Sequence, residues 1–274
     1  MNEVTTYRGI CWMKLAIQEN MVPGKSFSEK LQNAERYGYE AVEVWGTDLP
    51  SRLNTVKAAL STSKIGISTV CSGYGGDLLG AERKTRETAI DGLKDRLKAS
   101  AELGAIGVIT VPTFGKPKIS DLYPWCADVQ EIEKEILVEE CKILGRYADD
   151  VGAYVILEPL NRYETHFIRR LEQAVEVCKN VGKEHVKIMA DFFHMNIEEA
   201  NIPSSIRKAK DYIVHVHLAD SNRLLPGCGH TDFKSGFTAL KETGYRNFMA
   251  LECGIPGDPE VELPKCANYL RQFI

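Results

Sequence analysis

Short apolar runs alternate along this chain with longer segments in which charged and apolar residues recur at helical spacing. Runs rich in Val and Ile, separated by such segments, are typical of βα units that build a parallel sheet. Eight runs have this character, and they predict strands at residues 15–18, 41–45, 67–72, 107–111, 154–158, 186–191, 213–218 and 248–252.

The segments that follow these runs predict one helix each, at residues 26–37, 51–61, 81–103, 129–151, 168–181, 197–209, 233–243 and 259–273. Most strands begin roughly 30 residues after the previous strand, which is the interval that a βα repeat needs. Gly recurs where a helix would end before the next strand, because Gly tolerates positive φ. The pattern therefore predicts an α/β fold, a (β/α)₈ barrel that forms a single domain over residues 1–274.

Length and charge exclude several classes of protein. A chain of 274 residues with a net charge of −4 has the size of one barrel, and its interspersed charges lack the basic face of a nucleic-acid-binding protein. No apolar run reaches the roughly 18–20 residues that cross a bilayer, and residues 1–9 contain no apolar signal core. We therefore expect a cytoplasmic protein with no nucleic-acid or membrane partner.

The chain contains eight cysteines that are far apart and form no CxxC pair. A chain of this length can build a core large enough to fold without disulfides, so we expect reduced and mostly buried thiols. They are Cys11, Cys71, Cys126, Cys141, Cys178, Cys228, Cys253 and Cys266.

The last four predicted strands each end in a residue that can bind a metal ion, namely Glu158, Asp191, His217 and Glu252. The carboxyl ends of barrel strands meet at one rim, and carboxylates are rarely buried there unless they are paired or metal-bound. Three carboxylates and one imidazole, without a thiolate, suit Mn²⁺, Co²⁺ or Mg²⁺ with open positions rather than structural zinc. One such residue alone could cap a helix or form a surface ion pair, but the repetition favours a metal-dependent enzyme.

Further polar residues follow these strand ends within the segments LEPLNRYE, DFFHMNIEE, HVHLADSNRLLPG and LEC, at residues 157–164, 191–199, 215–227 and 251–253. Together these segments resemble the ketose 3-epimerases of the tagatose/psicose type. That group belongs to the xylose-isomerase-like TIM barrels, which are usually labelled sugar phosphate isomerases/epimerases. The resemblance is close in the second half of the chain. The first half shares only the βα rhythm and the segment ENMV at residues 19–22.

The resemblance implies metal ligands at Glu158, Asp191, His217 and Glu252 and substrate contacts at Glu164, His194 and Arg223. It also implies proton transfer at C3 of a ketose, with a divalent ion as the Lewis acid that stabilises an enediolate. Glu158 and Glu252 would remove and return the proton on opposite faces of C3, while the other two ligands mainly anchor the ion. The partner would be a small-molecule sugar, and relatives of this kind often assemble as dimers or tetramers.

The three substrate contacts have more ordinary alternatives. His194 and Arg223 would donate hydrogen bonds to the oxygen that gains charge, and Glu164 would orient the C1 hydroxyl. His194 could instead cap the following helix, and Arg223 could form a loop ion pair of little consequence. His215 precedes His217 by two residues and should point into the barrel, where a core role and a role beside the metal are both open.

Ala219–Asp220 stands where ketohexose epimerases commonly carry Gly–Glu, and the loops after the first four strands, which choose the sugar, do not clearly match. An aldose–ketose or hydroxypyruvate-type isomerase and an inosose-type dehydratase therefore remain alternatives on the same metal site. An abasic-site endonuclease barrel would need a larger His-rich cluster, which six mostly scattered histidines and a net negative charge oppose. A non-catalytic sugar-binding barrel would not need both Glu158 and Glu252.

Overall fold

A computed structural model describes residues 13–274, so Cys11 lies outside the described residues. Eight parallel strands pair in chain order, and β8 pairs with β1 to close the sheet. The predicted (β/α)₈ barrel is confirmed. The strands are β1 Lys14–Gln18, β2 Ala41–Trp45, β3 Gly66–Cys71, β4 Gly107–Thr110, β5 Tyr154–Leu157, β6 Val186–Asp191, β7 Ile213–Leu218 and β8 Phe248–Leu251.

Nine helices surround the strands within the described part of the chain. They are α1 Phe27–Arg36, α2 Leu49–Leu60, α3 Arg83–Glu102, α4 Val129–Val151, α5 Leu171–Val181, α6 Phe192–Glu198, α7 Ile202–Lys208, α8 Phe233–Glu242 and α9 Pro259–Arg271. The main apolar core lies between these helices and the outer face of the barrel, where most of the buried aliphatic and aromatic side chains pack together. None of the helices in residues 13–274 has both the length and the apolar character of a membrane span.

The single helix predicted at residues 197–209 is wrong, because local capping divides this region into α6 and α7. The Asp191 carboxylate accepts the backbone N–H of His194 at 3.0 Å, so α6 begins directly at the end of β6. The Asn201 side chain accepts the N–H of Ser204 at 2.8 Å and starts α7 separately. Side-chain caps of this kind satisfy free N–H groups at a helix start, and here they override the apolar period.

Part of the barrel interior, below the rim, is polar. Gln18, Glu43, Thr69 and His215 are buried there and hydrogen-bond to one another from β1, β2, β3 and β7. A buried polar group is tolerated only when it is paired, so this layer has one fixed arrangement. The seven described cysteines are unpaired, and four of them are buried.

Candidate active site

The residues at the ends of the last four strands meet at one point. Glu158, Asp191, His217 and Glu252 each offer a ligand atom, and these atoms all lie within 4.8 Å of one another. His217 Nδ1 is 3.7 Å from Glu158 Oε1, 3.5 Å from Asp191 Oδ2 and 3.4 Å from Glu252 Oε2. Asp191 and His217 are register partners in neighbouring strands, which explains their equal height at the rim.

The cluster concentrates negative charge where little water is present. Glu158, Asp191 and His217 are buried, and the Glu252 side chain is 18% exposed. Burial, with the charges of Glu252 and Asp191, raises the pKa of Glu158 well above its usual value. Burial also opposes ionisation of Asp191, but the two neighbouring histidines outweigh it and hold the Asp191 pKa below its usual range. Carboxylates crowded in this way are stabilised by a cation among them.

The two ring nitrogens of His217 have different surroundings. Nε2–H donates to the Glu43 carboxylate, with N–O distances of 3.0 and 3.1 Å. Nδ1 is fully buried and makes no hydrogen bond within the described structure, although three carboxylate oxygens lie near it. Burial lowers the pKa of His217, but the charges of Glu43 and Glu252 outweigh this effect and raise it well above its usual value. A proton and a cation therefore compete for Nδ1.

These residues fit a divalent metal ion. An unpaired buried nitrogen is rare in proteins, and this one faces three carboxylates. Carboxylate oxygen with imidazole nitrogen is the donor set of Mn²⁺, Co²⁺ and Mg²⁺ sites that keep open positions. Hydrogen bonding of the second ring nitrogen to a carboxylate is also usual for a metal-binding histidine.

His194 lies beside the cluster and is oriented by Asn161. Its Nδ1 accepts the backbone N–H of Asn161 at 3.1 Å, so the neutral ring carries its proton on Nε2. Nε2 faces Glu158 Oε1 and Asp191 Oδ2, both at 3.9 Å. The α6 cap uses the backbone N–H of His194 and not its ring. The ring Nε2–H can therefore donate to an oxygen that lies between these acids.

Arg223 joins two of the predicted site carboxylates. Its Nη1 donates to Glu164 Oε1 and its Nη2 to Glu252 Oε2, each at 3.1 Å, and its guanidinium lies 4.7 Å from the centre of the Phe193 ring. Its φ of +58° lies in the left-handed region, which a non-Gly residue occupies only when its surroundings hold it there. Arg223 therefore forms ion pairs, as the more ordinary alternative predicted, and these pairs place it beside the predicted site residues.

Asp220 shapes the loop that carries Arg223. Its carboxylate accepts the backbone N–H groups of Ser221, Gly227 and Thr231 at 2.7, 2.8 and 3.0 Å, and the Arg223 N–H bonds to the Asp220 carbonyl. These backbone donors outweigh the effect of burial and lower the pKa of Asp220. Residues 219–220, where Ala–Asp replaces Gly–Glu, therefore affect the backbone conformation of the loop. The Asp220 carboxylate is bound to that backbone and not to the carboxylate cluster.

Glu43 was missed by the sequence analysis. It is fully buried in β2 and accepts hydrogen bonds from Gln18, Thr69, His215 and His217. Burial raises its pKa, but His217 and the bond from His215 outweigh that effect and hold it far below the usual range, so Glu43 is ionised. The available signal was a charged residue inside the apolar strand AVEVW, a position that requires a partner.

The site can therefore move a proton beside a carbonyl group. Glu158 and Glu252 follow β5 and β8 and reach the same small volume from different sides of the rim. Carboxylates placed in this way can act as general base and general acid. His194 and the Arg223 guanidinium lie beside these carboxylates, and donors of this kind can stabilise an oxygen that gains negative charge.

Comparisons with known proteins agree with this geometry. The profile of the family described as "Xylose isomerase-like TIM barrel" matches residues 31–273. The chain is 29% identical over 242 residues to the 3-dehydro-D-guloside 4-epimerase of Escherichia coli. This alignment covers 88% of this chain and 92% of that protein. It is 38% identical over 115 residues to the D-psicose 3-epimerase of Enterocloster bolteae. That alignment covers 42% of this chain and 38% of that protein.

A solved structure extends the likeness to nearly the whole chain. The crystal structure of the 3-keto-D-glucoside 4-epimerase of E. coli matches with a TM-score of 0.87 at 28% identity. The match covers 95% of this chain and 99% of that one. The likeness in the first half of the barrel, which only the βα rhythm and one short segment suggested, is thus structural.

Proposed function

Because this chain belongs to the xylose isomerase-like TIM barrel family, we propose that it is a metal-dependent epimerase that inverts a hydroxyl-bearing carbon next to a sugar ketone. Its relatives include epimerases along nearly its whole length, and the chain is an enzyme of that class. The observation that carries the proposal is the convergence of two carboxylates, Glu158 and Glu252, on one largely buried cluster.

We assign the metal site to Glu158, Asp191, His217 and Glu252, with Mn²⁺ as the preferred ion and Co²⁺ or Mg²⁺ as alternatives. The bound ion supplies Lewis acidity, which stabilises negative charge on the oxygens of the substrate. Asp191 and His217 serve mainly as anchors, because their remaining hydrogen bonds go to the N-terminus of α6 and to Glu43.

Glu158 and Glu252 carry the proton in this proposal. One removes it from the carbon beside the ketone, and the other returns a proton to the opposite face. Both oxygens of Glu252 are held, Oε1 by Gln18 Nε2 at 2.9 Å and Oε2 by Arg223 Nη2 at 3.1 Å. His194 donates from Nε2 to the oxygen that gains charge, and Glu164 orients a neighbouring hydroxyl.

The first candidate for the reacting carbon is C3 of a ketose, the position named in the psicose epimerase relative. The second candidate is C4 of a 3-ketoglycoside, which is favoured by the relative that aligns over 92% of its own length. Both substrates present a ketone next to a hydroxyl-bearing carbon, so the same proton transfer and the same donors serve either. The difference lies in what the rest of the sugar contacts.

The test is proton exchange with solvent. The Mn²⁺-loaded protein is incubated in D₂O with a panel of ketoses and 3-ketoglycosides, and NMR locates the incorporated deuterium and the inverted centre. We expect deuterium at C3 of a ketose with inversion there, and label at C4 of a 3-ketoglycoside would establish the second candidate. Label at C1 of a ketose, or at C2 of an aldose formed from it, would replace the epimerase with an aldose–ketose isomerase. Absence of exchange on every sugar would overturn both candidates.

A further inference from the structure

The buried Glu43 is not among the four metal ligands, yet it contacts one of them directly. We propose that Glu43, together with Gln18, is a positioning pair that orients the metal ligand His217 and the proton carrier Glu252 from below the site. The inference rests on the proposed metal-dependent function. It assigns roles to two residues of β1 and β2, the half of the barrel that contributes none of the four ligands.

Glu43 decides which nitrogen of His217 faces the metal site. Both carboxylate oxygens of Glu43 lie 3.0–3.1 Å from His217 Nε2, which is hydrogen-bond length, and the same oxygens face the donors of Gln18 and Thr69. A carboxylate surrounded by N–H and O–H donors acts as the acceptor. Nε2 must therefore keep its proton, which leaves Nδ1 as the ligand atom. The same contact prevents the ring from turning Nε2 toward the acids at the rim.

Glu43 is itself held in place by donors from several strands. Thr69 Oγ1 donates from β3, His215 Nε2 donates from β7 at 2.9 Å, and Gln18 Nε2 donates from β1 at 3.0 Å. All three groups can donate to the carboxylate, and Glu43 and His215 are both fully buried. The carboxylate thus has a single well-defined orientation, which it passes to the His217 ring.

Gln18 extends this control to the proton carrier. A primary amide has two N–H bonds, and Gln18 Nε2 lies 3.0 Å from Glu43 Oε1 and 2.9 Å from Glu252 Oε1. One side chain therefore links the carboxylate beneath His217 to the acid that exchanges protons. A shift of Glu43 would displace both a metal ligand and a reacting group.

Glu43, His215 and His217 could also be considered as a second metal site, because their ligand atoms lie close together. Their N–O separations of 2.9–3.1 Å are hydrogen-bond lengths. Gln18 and Thr69 also direct an N–H and an O–H at the same carboxylate. A histidine nitrogen that donates its proton to this carboxylate has no lone pair with which to bind a cation. The cluster is therefore a hydrogen-bonded support for the site above it.

The first experiment measures Zn²⁺ affinity without substrate, by chelator competition, in the wild-type chain and in Glu43→Gln. Loss of a carboxylate behind a metal-binding histidine typically weakens binding about 10- to 100-fold, and we expect a loss of that size. The matched control is Glu133→Gln, since Glu133 is also fully buried and paired with a histidine, His166, at 2.7 Å. Wild-type affinity in Glu43→Gln, or an equal loss in the control, would overturn the role.

A second measurement needs no variant. In the Zn²⁺-loaded wild-type chain with ¹⁵N-labelled histidine, we expect His217 to show metal-bound Nδ1 and protonated Nε2. Ligation through Nε2 would overturn the role, as would a wild-type chain that binds no Zn²⁺. Neither readout depends on turnover, so a chain with the expected ligation that exchanges no sugar proton would sink the proposed epimerase and leave the positioning role standing.

Discussion

Glu158 and Glu252 both follow a barrel strand, but their surroundings differ. Glu158 is buried, and burial with neighbouring charge raises its pKa well above its usual value. Glu252 is partly exposed and accepts hydrogen bonds from Gln18 and Arg223. Two carboxylates with such different burial and hydrogen-bond partners suit the two ends of one proton transfer.

We predict that Glu158→Gln and Glu252→Gln separate proton exchange from inversion. Each variant keeps one carboxylate, so it should exchange deuterium into one epimer with retention while net epimerisation falls about 10²- to 10⁴-fold. NMR in D₂O measures both quantities, and the metal content of each variant is measured in parallel. Glu139→Gln, on the exposed face of α4, is the control and should keep the wild-type rate. Near wild-type inversion in either active-site variant would contradict the two-carboxylate mechanism.

The residues at the rim could be identified from the sequence because each stands at the end of an apolar run, which the order of residues alone shows. Glu43 and Gln18 lie inside strands, and their importance depends on contacts across the closed barrel. Gln18 meets Glu252 over 234 positions of sequence, a pairing that no local spacing predicts. The orientation of His194 by the Asn161 backbone was hidden for the same reason.

The elements were predicted unequally. Every strand lies within one residue of its predicted bounds, because buried strands between polar segments leave a sharp apolar signal. The helix predicted at residues 197–209 failed because caps at Asp191 and Asn201 set the true starts of α6 and α7. The Asp191 carboxylate therefore has two contacts, because one oxygen caps α6 and the other faces His217 in the side-chain cluster.

The packing of α3 against α4 gives a prediction about pH. Glu140 on α4 is buried 3.6 Å from Arg86 on α3, and one of its oxygens has no hydrogen-bond partner in the described structure. Burial raises the pKa of Glu140 to about 8, although Arg86 opposes this and Asp77 adds to it. The folded chain therefore holds a proton at Glu140 that the unfolded chain releases near its ordinary pKa of 4.5.

Because the folded pKa is the higher one, the stability that this proton provides is complete below pH 4.5 and is lost as the pH rises toward about 8. Glu140→Gln should remove this pH dependence. The Tm of the variant minus the Tm of the wild type should therefore increase as the pH rises from 5 to 8.5. Circular dichroism melts across that range measure the difference. The exposed neighbour provides a control, since Glu139→Gln should melt in parallel with the wild type. A Tm difference for Glu140→Gln that does not change with pH would contradict the assignment.

At the scale of the whole molecule, the metal site should couple ion binding to stability. Three acids beside one buried imidazole repel one another in the folded chain, and the unfolded chain disperses them. An ion that binds only the folded state at 100 times its Kd adds about 2.7 kcal/mol. For a chain of this size that corresponds to a rise in Tm of roughly 5–10 °C.

We therefore expect chelation to lower the Tm and Mn²⁺ to restore it, as measured by calorimetry on the chelated and reloaded protein. Asp191→Asn should reduce the shift, because it removes one ligand. Glu133→Gln should retain the shift, because Glu133 lies on α4 and pairs with His166 rather than with the cluster. A Tm that does not respond to Mn²⁺ in the wild-type chain would contradict the assignment of a metal site.

The barrel and its family could be predicted from the sequence, because eight βα repeats and four polar residues at strand ends constrain both. The sugar could not be predicted, because the loops after the first four strands carry no pattern that specifies their contacts. Nor could the polar layer within the barrel, since His215 on β7 meets Glu43 on β2 across the interior rather than along neighbouring strands.

The bond between Gln18 and Glu252 has a consequence for the synthesis of the protein. It joins the first strand to the residue that follows the last one, so it forms only after β8 has left the ribosome and paired with β1. A nascent chain that ends before β8 has at most three of the four residues proposed to bind the metal ion. We therefore expect a chain that lacks β8 to be inactive, because it also lacks Glu252 and the contact that closes the barrel over the proposed metal site.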